Sequence, residues 1–264
     1  MSRLLHLSDT HFGTEQAPVV AALRSLAHAL QPNLIVVSGD ITQRATAEQF
    51  AAARAFFDSL PAVPKLLLPG NHDIPLFALW QRLLTPYARY RRGLRVQPLA
   101  PQMRLPDLQL FAVKSTRRRR HIDGEISAAQ IEAVRAALAT APRQALKVVV
   151  THQPLWVERA EDLHNRCHGA DAALSTWVEA GADLFLAGHI HWPFAAALPQ
   201  RRTAWAVNAG TAVSHRVRPG APNSVNLIDF EIDGDARRLQ LSRYDCLFPG
   251  AAFECISRRT LALA

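Results

Sequence analysis

The sequence predicts an α/β fold, a parallel sheet covered by helices, followed by a β-rich remainder. Two observations predict it. Over the first 75 residues short apolar strands alternate with amphipathic helices, and the pattern returns between residues 108 and 187. After residue 200 that alternation stops, and three strand-like stretches follow one another. With 264 residues and 49% hydrophobic content, the chain is long enough to bury a full core.

In order, Arg3–Leu7 reads as a strand and 17–30 as a helix with Val20, Leu23, Leu26, Ala27 and Leu30 on one stripe. Leu34–Val37 is a second strand, 46–59 a second helix and Lys65–Leu68 a third strand. A strand at Leu108–Val113 and a helix over 127–140, opened by Ser127, resume the pattern. The strand Lys147–Thr151, a helix over 170–180 closed by Gly181 and the strand Asp183–Ala187 complete it. Ala204–Val207, Val225–Glu231 and Arg238–Tyr244 are strands. The turn Asp233-Gly234-Asp235 joins the last two into a hairpin expected to complete a second sheet. The Pro-rich region 86–106 is expected to be irregular. With no repeat period and no linker, one domain over 1–264 is expected. Its C-terminal extension, 245–264, either packs on the body or pairs subunits in a homodimer.

Composition excludes several classes. Apolar runs such as Leu34–Val37 and Val148–Val150 are too short to span a bilayer. The N-terminus meets Asp9 without the apolar stretch of a signal peptide. Cys167, Cys246 and Cys255 are an odd set with no CxxC spacing, which argues against a disulfide scaffold and fits a reducing cytoplasm. The net charge is +8, and only Lys65, Lys114 and Lys147 of the 30 basic residues are lysines. Residues 82–120 hold ten arginines and Lys114 against one acid, Asp107. Such a block is either a solvated surface or an anion-binding wall, depending on what lies beside it.

The chemistry sits where strands end. The first ends in Ser8-Asp9-Thr10-His11, the second in Gly39-Asp40 and the third in Gly70-Asn71-His72-Asp73. Later strands end in Thr151-His152 and Gly188-His189-Ile190-His191. In open α/β sheets, ligands bind beyond the carboxyl ends of strands. Singly, each motif is an ordinary turn or loop. Together, at one topological position, they point to metal. Imidazole, carboxylate and amide oxygen in one set suit Mn, Fe or Zn, whereas Mg and Ca prefer oxygen alone. In an extended segment Asp9 and His11 would share a face by alternation, as would His189 and His191. Seven candidate ligands are too many for one tetrahedral ion and enough for two, and a carboxylate such as Asp40 can give one oxygen to each.

The ordered set Asp-x-His, Gly-Asp, Gly-Asn-His-Asp, His and Gly-His-x-His, over residues 9–191, resembles the calcineurin-like metallophosphoesterases. The short spacing looks like the bacterial class III cyclic-nucleotide phosphodiesterases of that superfamily. The resemblance implies a four-layer α/β/β/α sandwich with two mixed β-sheets flanked by helices. It implies that Asp9, His11 and His191 hold one metal, that Asn71, His152 and His189 hold the other, and that Asp40 bridges. His72 would face the scissile phosphate as the catalytic imidazole, oriented by Asp73. The expected activity is a binuclear metal-dependent phosphodiesterase, in which a metal-bridging hydroxide attacks a small phosphate ester such as a 3',5'-cyclic nucleotide. Alternatives at the same site are a phosphomonoesterase, a nucleotide or lipid pyrophosphatase and a DNA nuclease. A non-catalytic scaffold is disfavoured because all seven ligands are present.

Arg117, Arg118, His121 and His215 are the expected substrate contacts. The strand 108–113 ends in Lys114-Ser115, where many cyclic-nucleotide phosphodiesterases of the superfamily carry Asp-Ser. Only Tyr87 and Tyr90 beside the basic block could stack on a base, so nucleic acid is not favoured as a partner. His6 and His28 read as structural, and His164 and His168 as loop residues.

Overall fold

A computed structural model describes residues 1–120 and 122–264; His121, one of the expected substrate contacts, lies outside them. The chain opens with β1 (Ser2–Leu7), α1 (Ala17–Leu30), β2 (Leu34–Val37), α2 (Ala47–Ser59) and β3 (Lys65–Leu67). Pro18 occupies the first turn of α1, where its missing N–H costs nothing, and Gln31 closes the helix in a left-handed conformation. Val19, Leu23 and Ala27, four residues apart, form the buried stripe of α1, while Val20, Leu26 and Leu30 are only partly buried. Thr46 caps α2 by accepting from the Gln49 N–H.

α3 (Leu79–Leu84), α4 (Ala88–Leu94) and β4 (Gln102–Arg104) precede β5 (Leu108–Ala112). The region 86–106, expected to be irregular, therefore carries a helix and a strand; both are too short for a periodic signal. α5 (Ala128–Thr140) starts at the predicted Ser127, in a reciprocal capping box with Gln130. β6 (Leu146–Val150), a 3-10 turn at Ala160–Asn165, α6 (Ala170–Glu179) and β7 (Leu184–Ala187) follow. The chain ends with β8 (Phe194–Ala197), β9 (Trp205–Asn208), β10 (Asn223–Asp233), β11 (Ala236–Cys246) and β12 (Glu254–Leu261).

Two six-stranded mixed sheets result, in the orders β12-β11-β10-β1-β2-β3 and β4-β5-β6-β7-β9-β8. Strand alternation sends neighbouring side chains to different cores. Leu34 and Val36 meet Leu110, Val148 and Leu184 between the sheets, while Ile35 and Val37 face outward onto α1 and α2. The far face of the second sheet packs Phe111 and Val149 against Val134, Leu138 and Trp177 of α5 and α6. The architecture is the α/β/β/α sandwich.

One expectation is corrected. The β10–β11 hairpin pairs with β1, Leu4 opposite Ile228, so it extends the first sheet; the second sheet is built from β4 to β9. Apolar alternation reports that a strand is buried but not which sheet it joins. The C-terminal extension adds β12 to the free edge of β11. No described helix is long and apolar enough to cross a membrane.

Strands β1, β2 and β3 run parallel, as do β5, β6, β7 and β9, so their carboxyl ends finish together. The two sets of ends meet. His152 Nδ1, after β6, donates to the Ser38 carbonyl after β2 at 2.9 Å, and the His189 N–H, after β7, donates to Asp9 Oδ2 after β1 at 2.9 Å.

Candidate metal centre

The loops at this edge turn through unusual backbone. Asp9, His11, Asp40, His189 and His191 have φ of 52°, 43°, 49°, 70° and 54°, a left-handed region that residues other than glycine rarely enter. Such conformations cost on the order of 1 kcal/mol each and persist only where the surroundings enforce them. They correct the geometric expectation for Asp-x-His. Asp9 and His11 lie past the end of β1, and left-handed turns rather than strand alternation bring their side chains together. The glycines serve close approach. A Cβ on Gly70 would strike the Asp40 backbone, and one on Gly188 would strike Ser8 and the Asp9 carboxylate.

The side chains so placed form two donor sets. Asp9, His11, Asp40 and His191 bring one ligand atom each within 4.8 Å of one another, and so do Asp40, His152 and His189. Asp40 belongs to both and divides its oxygens. Oδ1 lies 3.3 Å from His152 Nε2, and Oδ2 lies 3.8 Å from His11 Nε2. Asn71 joins the second set, its Oδ1 3.0 Å from His152 Nε2. In the first set His191 Nε2 stands 3.1 Å from both Asp9 Oδ1 and His11 Nε2. All seven expected ligands are thus brought together.

Electrostatics within the cluster suit cations. Asp9 and His11 are fully buried, as is His152, and Asp40 is nearly so. Burial would raise the Asp9 and Asp40 carboxyls, but the surrounding imidazoles outweigh it and hold both well below the usual range. Burial, reinforced by the charge of His152, pushes His189 down to about 3, so its ring is neutral, and His189 Nε2 is buried without a hydrogen-bond partner. Burial also lowers His11. His152 goes the other way: burial pulls it down, but Asp40 and Asp9 raise it to about 9. An unsatisfied buried nitrogen aimed at a shared carboxylate is costly unless something accepts its lone pair. Nitrogen, carboxylate and amide donors in two joined sets fit transition-metal ions. Backbone carbonyls fix two of the ligand rings for that role, and the His72 ring beside them. His152 Nδ1, His191 Nδ1 and His72 Nδ1 must each donate, to Ser38 O, Arg216 O and Gln43 O, which leaves Nε2 toward the cluster.

A cleft of about 450 Å³ opens over the cluster, lined by Asp40, Asn71, His72, His189, His191, Arg216 and Arg218 among others. His72 stands at its wall, its ring 4.9 Å from that of His11. Asp73, expected to orient His72, is fully buried next to it in the loop. Its carboxylate accepts from Ile41 N, Thr42 N, Thr42 Oγ1 and Gly70 N, tying the Asp40 loop to the His72 loop, while Gln43 O receives the His72 Nδ1–H.

The expected substrate contacts fare differently. Arg117 is spent on Lys114 O and Gln130 Oε1, and exposed Arg118 on Leu83 O; neither lines the cleft. His215 is exposed, and its neighbour Arg216 lines the cleft instead. Arg216 Nη1 lies 2.9 Å from Gln43 Oε1, 3.2 Å from His72 Nε2 and 3.4 Å from His11 Nδ1. These partners are an amide and two imidazoles, whereas Arg218 is committed to Asp162 and Glu161. Sequence reasoning missed Arg216. Its one signal was position in the loop after a strand end, shared with His215. Tyr90 is fully buried against Phe50, and the Tyr87 hydroxyl bonds Thr116, so neither is presented to a base. His6 is buried against Ser38, and His28 bonds Ser59 O. His164 lies on the cleft wall, and His168 pairs with Asp123.

Comparison with known proteins places this geometry in a lineage. The calcineurin-like phosphoesterase profile matches residues 2–193. A 3',5'-cyclic adenosine monophosphate phosphodiesterase of Escherichia coli is 28% identical over 211 residues, covering 72% of this chain and 69% of that protein. A glycerophosphodiester phosphodiesterase of Enterobacter lignolyticus is 37% identical over 83 residues, 26% of this chain and 29% of its own length. This chain thus spans under a third of that relative. Among solved structures, a purple acid phosphatase from yellow lupin superposes with a TM-score of 0.71 at 12% identity, covering 98% of this chain and 53% of the lupin chain. The profile match spans well over half of the sequence, and the chain belongs to the calcineurin-like phosphoesterase family, whose members are dimetal-dependent hydrolases.

Proposed function

We propose that the chain is a binuclear metal-dependent phosphodiesterase acting on a small phosphate diester. One observation carries the reading: two donor sets joined by the split oxygens of Asp40, beneath a cleft whose wall carries His72. Asp9, His11, His191 and Asp40 would hold one ion, and Asp40, Asn71, His152 and His189 the other. Bound there, Mn, Fe or Zn ions supply Lewis acidity toward the phosphoryl group and activation of water at neutral pH.

The chain's own side chains would do the rest. Arg216, free of carboxylate partners among the described residues, would pair with the phosphoryl charge. His72, its Nδ1–H held by Gln43 O, would stand with Nε2 beside the departing alkoxide oxygen and stabilise it together with Arg216. Asp73 would act as a positioning residue through the two loops it joins. The arginine block does not supply the clamp that a monoester dianion would favour, since Arg117 and Arg118 are engaged elsewhere. The relatives named as cyclic-nucleotide and glycerophosphodiester phosphodiesterases also favour diesters, and cytoplasmic residence suits three free cysteines.

The test is hydrolysis of bis-p-nitrophenyl phosphate against p-nitrophenyl phosphate by metal-stripped chain with Mn²⁺ restored. A strong diester preference is expected, leading to a panel of cyclic nucleotides and glycerophosphodiesters. A monoester preference would make the chain a phosphatase instead.

A further inference from the structure

The segment that follows His72 and Asp73 breaks the usual rule of burial. Phe77, Leu79, Trp80, Leu83 and Leu84 leave 78, 66, 78, 45 and 76% of their surfaces exposed, and α3, which holds four of them, buries nothing. Leu79 with Leu83 and Trp80 with Leu84 are four apart, so all four share one side of the helix. A contiguous exposed patch of this kind marks an interaction surface.

Charge says what covers it. From Ile74 to Pro106 there is no acidic residue and there are six arginines. Arginines also border the patch from elsewhere in the fold. The Arg44 guanidinium lies over the Phe77 ring at 5.5 Å, Arg118 donates to the Leu83 carbonyl, and exposed Arg119 follows it. A second copy of the chain seated here by two-fold symmetry would set these cations against each other. A surface of apolar chains beneath anionic headgroups complements both features, with Trp and Phe at the interface and arginines among the phosphates.

We propose that Phe77–Leu84, with Arg44, Arg82, Arg118 and Arg119, is a docking surface for anionic lipid bilayers. The chain binds such membranes peripherally. The patch adjoins the cleft, since it leaves the His72 loop directly, and Ile122, two residues beyond Arg120, lines the cleft. The binding stands independently of which phosphate ester is cleaved.

Flotation of the full chain with vesicles of phosphatidylcholine alone, and of phosphatidylcholine mixed with phosphatidylglycerol, tests it. Binding to the mixed vesicles only, weakened by high salt, is expected. A Phe77→Ser, Trp80→Ser, Leu84→Ser triple variant should bind them at least about tenfold less, since each large apolar side chain contributes appreciably to burial. The variant should hydrolyse a soluble ester as the parent does. Equal binding to both vesicle types, or a triple variant that binds like the parent, would overturn the proposal. So would a parent chain that sediments as a dimer without vesicles while the variant is a monomer, because a second copy would then cover the patch.

Discussion

Two regions of the molecule carry unusual chemistry, and they are built in opposite ways. The strand-end cluster is buried, mixed in charge and locally strained; five of its side chains stand on left-handed backbone. The segment 75–120 is dense in arginine, apolar at its exposed tip and committed elsewhere. Arg117, Arg118 and Arg120 spend their guanidinium groups on nearby carbonyls, carboxylates and Gln130. Charge density along a sequence therefore did not locate the cation that faces the cleft. That cation is Arg216, on a loop beyond β9 whose other arginine, Arg218, is paired with Glu161 and Asp162.

The contrast can be broken by substitution. His72→Ala should lower kcat by roughly 10²- to 10⁴-fold with metal content unchanged, measured by steady-state kinetics beside elemental analysis. An unchanged kcat would remove His72 from the chemistry. Arg216→Ala should lower kcat/KM for a soluble diester by about 10- to 100-fold, the worth of a hydrogen bond to a charged group in a partly buried site. At the small end, Arg118→Gln with Arg119→Gln should change KM for the same diester by less than about twofold, as expected of exposed charges outside the cleft. A steep rise in KM from that pair would return the arginine block to substrate binding.

How much was legible follows from which interactions are local. The helices α1, α2, α5 and α6 announce themselves through apolar stripes and, for α5, the capping residue Ser127. The seven candidate ligands were legible because each follows a strand end, and parallel strands finish together whatever the details. What stayed hidden is non-local. That β10 pairs with β1 depends on residues more than 200 apart. The edge strands β8 and β12 lack a clean alternation because one or both of their faces are solvated. Loop residues have no period, so nothing distinguished His215 from Arg216. The partners of Asp73 are backbone N–H groups, which a sequence does not display.

If Asp40 joins two metal sites, calorimetric titration of the metal-stripped chain with Mn²⁺ or Zn²⁺ will count them. The parent should take up two ions per chain. In buffers of different ionisation enthalpy at pH 7 it should also release a proton. The Asp40 and Asp9 charges hold His152 up to about 9, so it is protonated in the free protein and must lose that proton to become a ligand. Titration above pH 9, where the ring is already neutral, should lose this release. Asp40→Ala should weaken uptake at both sites together, by more than the roughly 10- to 100-fold that loss of a residue beside a ligand costs. Uptake of a single ion by the parent, or an Asp40→Ala chain that still takes up two ions with undiminished affinity, would mean that Asp40 does not join two metal sites.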